Sequence, residues 1–131
     1  MANNIQDLRD TNTVAKIDEP FPMKGGPMYL PKTFENFSKS YPEITGHYEK
    51  LGHICRDAGP LDSKSQDLVK LGIAIGVNSR GAVMSAVRKA LASQATEDEI
   101  RHAILLSITT TGFPHMIAAM GWAQEVLDKQ G

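Results

Sequence analysis

Ala95-Thr96-Glu97-Asp98-Glu99-Ile100 decides the fold. Thr96 followed three residues later by Glu99 is a capping box: the hydroxyl serves the third helical N–H while the carboxylate reaches back to the cap. Glu97, Asp98 and Glu99 also place negative charge where the helix dipole favours it. Behind this start, Ile100, Ala103, Ile104, Ser107, Ile108 and Thr111 fall on one helical face. Gly112-Phe113-Pro114 then stops one helix and opens the next, which carries Met116, Ile117, Met120, Ala123 and Leu127.

The same punctuation extends upstream. Ser79 precedes Ala82, Val83, Ala86, Val87, Ala90 and Leu91, an apolar stripe at helical spacing. Asn78 is a stop residue for the helix before it. That helix starts at Ser63-Lys64-Ser65-Gln66, a second predicted box. Between Leu68 and Val77 it is apolar on every side, which suits the middle of a bundle or a subunit contact. Ser40-Tyr41-Pro42-Glu43 predicts a further box with Ser40 as cap, followed by Ile44, Tyr48, Leu51 and Cys55 until Gly59-Pro60. Thr33 to about Lys39 reads as a short helix. No period-two strand pattern occurs, so the sequence predicts an all-α domain of five main helices plus a short one, over residues 32–131.

Residues 1–31 differ in kind. Pro20, Pro22, Pro27 and Pro31, with Gly25 and Gly26, exclude a long helix or central strand. Phe21, Met23, Met28, Tyr29 and Leu30 are too apolar for a solvated linker, so an extended Pro-rich arm lying on its own domain or on a neighbouring subunit is expected.

Composition excludes several classes. The 131 residues hold 14 basic and 15 acidic side chains, with no basic run longer than two, unlike a chain that grips nucleic acid through phosphates. Ala103 to Gln124 carries no Asp, Glu, Lys or Arg and is long enough to span a bilayer. Its Ser, Thr, His and Gln residues and the Gly112-Phe113-Pro114 break instead predict two helices meeting at a tight turn, with no membrane partner. Residues 1–19 have no apolar core of the signal-peptide type. One cysteine, Cys55, forms neither an internal disulfide nor a thiolate zinc cluster, which suits a reducing cytoplasm.

Few residues carry candidate chemistry. His47 and His53 would point about 120° apart on a helix, and His53 and Cys55 about 160° apart, so they do not converge on a metal unaided. His102 is expected at the surface. His115 opens the last helix inside the uncharged stretch, where an imidazole is either a hydrogen-bonded interior group or a proton donor near neutral pH. Asp67 stands one turn into the most apolar helix, as a dipole partner or as an acid facing a dry cavity. No phosphate loop, dinucleotide fingerprint or nucleophile elbow is present, and no cofactor or metal is implied.

Leu61-Asp62-Ser63-Lys64-Ser65-Gln66-Asp67-Leu68-Val69-Lys70-Leu71, Ile73-Ala74-Ile75, Asn78, Val87-Arg88-Lys89-Ala90-Leu91, Ala95 to Ile100 and Gly112-Phe113-Pro114 together resemble the carboxymuconolactone decarboxylase family, which includes the alkyl hydroperoxidase D-like proteins. Phe37, Pro42 and Gly59-Pro60-Leu61 resemble that family's first helical hairpin. The resemblance implies an alkyl hydroperoxidase D-like helical fold assembled as a homotrimer or homohexamer.

Redox members carry Cys-x-x-Cys, a His four residues on, and an acid on the preceding helix. On this chain those positions become Ser79, Ala82, Ala86 and Asp67. A peroxidatic cycle requires a low-pKa thiolate and a resolving thiol, so a thiol peroxidase is not expected. Lactone decarboxylases of the family lack the cysteines but generally keep the histidine. The resemblance implies proton transfer and decarboxylation on a small carboxylated or lactone-type acid, but Ala86 removes the usual imidazole. Asp67, and His115 from the Gly112-Phe113-Pro114 turn as the substitute for that imidazole, are the candidate catalytic residues. Ser79 and Arg80 are the candidate substrate-binding residues, with Arg80 or Arg88 expected to hold a substrate carboxylate by a two-pronged contact. The alternative expectation is a silent, oligomeric binding protein that retains the pocket without the chemistry.

Overall fold

The computed structural model describes residues 32–130, which form six α-helices and one 3₁₀ turn, with no strand among them. The predicted arm over residues 1–31 lies outside the described residues. The helical chain divides at Pro60–Leu61 into two units. Gly59-Pro60 occupies that division, where proline cannot continue a helix.

The first unit is a helical pair, α1 (Lys32–Ser40) and α2 (Pro42–Asp57). The predicted box at Ser40 does not form. A residue before proline is forced out of the helical region, so Tyr41, at φ −133°, is the cap of α2 and Ser40 remains inside α1. Tyr41 provides no side-chain cap, but its carbonyl accepts from the Thr45 hydroxyl at 3.0 Å.

The second unit holds α3 (Ser63–Val77), α4 (Arg80–Ala92), α5 (Glu97–Leu106), a 3₁₀ turn (Ser107–Thr109) and α6 (Phe113–Asp128). The cap of α3 is Asp62 rather than the predicted Ser63. Its carboxylate accepts from the Ser65 N–H at 2.8 Å, and a full negative charge at that point also gains from the helix dipole. Gln66 donates its side-chain amide to the Leu61 carbonyl at 2.7 Å. Asn78 ends α3 in the left-handed conformation, φ 61°, as a stop residue should. The Thr96–Glu99 box forms as read, with bonds of 3.1 and 2.9 Å in the two directions. Gly112, at φ 97°, turns the chain into α6 with Pro114 in its first turn. The uncharged stretch is thus two helices and a turn, and no described helix is long and apolar enough to cross a membrane.

The core of this unit is built from Leu71 and Ile75 of α3, Val83 and Val87 of α4, Ile100 and Ile104 of α5, and Met116 and Val126 of α6. Each fully buried aliphatic side chain contributes about 1.5–3 kcal/mol relative to exposure. Helix α3 packs chiefly on α4, and α4 on α6. Ala86 and Ala90 of α4, with Ala119 and Ala123 of α6, are all buried; small residues let helix axes approach closely. Helix α3 is not apolar-buried all round. It buries Leu71, Ala74 and Ile75 and leaves Val69, Ile73 and Val77, four residues apart in turn, exposed on another face.

Candidate functional site

Asp67 is the most deeply buried ionisable side chain described, at 2% exposure. It projects from the second turn of α3, and its Oδ2 accepts a short hydrogen bond from the Ser93 hydroxyl. Ser93 is the C-terminal cap of α4, so this bond fastens the start of one helix to the end of its antiparallel neighbour. Ser93 gave no signal in the sequence. Reflecting α4 back on α3 about the Asn78–Ser79 turn would have placed it within about one helical turn of the acid.

The other candidates stand elsewhere. Ser79 caps α4, its Oγ accepting from the Ala82 N–H at 3.2 Å. Arg80 is engaged by Glu125 of α6 at 2.6 Å. From Ser79 to Ser93 the chain rises the length of α4, about 20 Å. Ser79 and Arg80 therefore cannot share one small ligand with Asp67. Arg88 is half-buried along α4.

His115 is half-buried in the first turn of α6. It has no hydrogen-bond partner among the described residues, unlike the bonded interior imidazole that was one expectation for it. Glu125, which holds Arg80, lies about 15 Å further along the same helix. The two candidate substrate-binding residues, Ser79 and Arg80, thus stand apart from Asp67 and from His115.

A match to the family model described as the carboxymuconolactone decarboxylase family covers residues 42–125, from the first residue of α2 into the last turn of α6. The chain belongs to the carboxymuconolactone decarboxylase family. Comparison with curated proteins and with solved structures gives no match. Within this family member, the positions that resemble the redox motif are Ser79, Ala82 and Ala86. Ala86 is buried against the core, so a methyl group packs where a histidine would titrate. Cys55 is exposed on α2, in the other unit. No group of three or more His, Cys, Asp or Glu among the described residues is arranged to hold a metal ion.

Two carboxylates on the α3–α5 side have lowered pKa values. Asp62 is lowered mainly by its bond from the Ser65 N–H. Glu99 is lowered first by the Thr96 N–H and then by Lys64, whose Nζ lies 3.0 Å from its Oε2. Both are capping groups, and their electrostatics serve helix ends.

Proposed function

We propose that this family member works without thiol redox chemistry, as a catalytically silent, oligomeric protein that binds a small carboxylated or lactone-type organic acid. The observation that carries the reading is the Asp67–Ser93 bond. The one acid remaining from the motif is sequestered in the helical hairpin, where it fastens α3 to α4, while Ala82 and Ala86 stand at the cysteine and histidine positions. A buried carboxylate satisfied by a hydroxyl supports a structural role, as buried charges persist when paired and bonded. The exposed apolar face of α3 supports self-association, for which a homotrimer or homohexamer fits the family resemblance. A single exposed cysteine fits a reducing cytoplasm.

A second reading, decarboxylation by proton transfer, is favoured by one observation. His115 is half-buried and unbonded, which leaves its imidazole available to a ligand.

Incubation with 4-carboxymuconolactone, followed by ultraviolet absorbance, separates the two. Silence predicts no turnover above the uncatalysed rate. Turnover that His115→Asn abolishes would replace silence with the decarboxylase. Peroxide consumption with a dithiol donor would overturn both readings.

A further inference from the structure

Every buried apolar side chain among the described residues lies between Leu71 and Leu127. Leu68, Leu91, Ala103, Met120 and Trp122, which pack against that core, come from the same four helices, α3 to α6. Side-chain bonds join these helices in a closed circuit. Asp67 of α3 is bound to Ser93 at the end of α4, and Arg80 at the start of α4 holds Glu125 of α6. Arg101 of α5 donates to Gln124 of α6 at 3.1 Å, and Lys64 of α3 reaches Glu99 of α5 at 3.0 Å. The exposed links contribute little free energy each, but the circuit gives every helix two partners within the set. Helix ends are served from inside it as well. Asp62, Ser79 and Thr96 accept from the first-turn N–H groups of α3, α4 and α5, and Pro114 removes one donor at the start of α6. The Leu61 carbonyl, held by the Gln66 amide, is where this bonding begins.

We propose that Leu61–Gly131 is an autonomous folding unit, which reaches its four-helix arrangement without Met1–Pro60. Core, caps and inter-helix bonds are the three things a helical bundle needs, and here each is supplied from within the unit. Chains of about 60 residues can already bury enough surface to fold alone. The division matters for the site, because Asp67, Ser79, Ala82, Ala86 and His115 all stand inside the unit. The positions that resemble the family's motif are therefore built by α3 to α6 alone, although the family match begins upstream at residue 42. The inference concerns folding and holds for a silent protein or a decarboxylase alike.

The test inserts a site-specific protease sequence at Gly59-Pro60 of the full chain and compares the protein before and after cutting. The product beginning at Leu61 is isolated in urea and refolded by dilution, so no bound Met1–Pro60 fragment supports it. Amide exchange at Leu71, Ile75, Val87, Ile104 and Ala123, all buried, is expected to change by less than about tenfold, because a cooperative unit opens with one free energy. Trp122, the only tryptophan, lies against the core and reports on this unit. Its urea transition should keep the same slope in both samples, since the slope measures the surface exposed on unfolding. Exchange that accelerates beyond about tenfold, or a slope that falls on cutting, overturns the proposal: either shows that residues 1–60 belong to the cooperative structure. The uncut protein carries the same insertion, so the insertion does not account for a difference between the two.

Discussion

The hydroxyl of Ser93 donates to the carboxylate of Asp67 across 26 residues of sequence, closing the open end of the α3–α4 hairpin. The other end is closed covalently by Asn78–Ser79, so this bond sets how the two helices register. Removing the acid leaves a half-buried hydroxyl without its acceptor, and partial burial makes such losses costly. Asp67→Ala is expected to lower stability by about 2–3 kcal/mol, and Ser93→Ala by about 1–2 kcal/mol. The double variant should cost less than the sum of the two. Urea unfolding followed by circular dichroism measures all three; an additive result would show that the bond does not couple them.

Gln94 occupies the left-handed region at φ 74°, just past the cap of α4. The Ala95 N–H returns to the Ala90 carbonyl at 2.9 Å and the Gln94 N–H to that of Leu91 at 3.0 Å, the pattern that closes a helix with a left-handed residue. Glycine adopts that conformation without the side-chain penalty of about 1–2 kcal/mol. Gln94→Gly is therefore expected to raise stability by up to about 1 kcal/mol, the rest being offset by unfolded-chain entropy. Gly112→Ala, at φ 97°, should do the opposite by at least about 1 kcal/mol. Thermal melts of the two variants should move in opposite directions.

The Thr96–Glu99 box supplies the start of α5, and Lys64 joins it to the start of α3. Thr96→Ala is expected to cost about 1 kcal/mol, as cap removal commonly does. Lys64→Ala should cost less than about 1 kcal/mol, because the pair is solvent-exposed and screened. Denaturant midpoints at low and high salt distinguish them: only the Lys64 contribution should fade with salt.

Acid should loosen these same ends. Asp62 and Glu99 have native pKa values below their ordinary ones, so the unfolded chain binds protons more readily. Their stabilisation is complete above the unfolded carboxylate range, near pH 4, and is lost as pH falls through the lowered native values. Melting temperatures measured downward from neutral pH should be flat for these groups until that range. In Asp62→Asn the acid-side decline should be shallower; an unchanged slope would count against the assignment.

Local chemistry made much of the fold legible. The Thr96–Glu99 box, the Asn78 stop and the Gly112–Pro114 turn depend on residues within a few positions of one another, and each stands where the sequence places it. Two cap assignments failed for equally local reasons: Pro42 dictates the conformation of Tyr41, and Asp62 offers a charge one residue ahead of Ser63. Gln94 was missed because glutamine is an uncommon choice for a left-handed site.

Hydrophobic periodicity and capping by themselves determined that this chain is helical and roughly where each helix begins, because those signals are carried by neighbours in sequence. Which face of a helix is covered, and which distant groups meet, depends on how helices pack against one another. Only the tertiary structure decided that Asp67 is bound to Ser93, that Arg80 is held by Glu125 about a helix length away, and that the apolar side of α2 faces outward. A 3.6-residue repeat marks an apolar face but carries no record of the surface that will cover it.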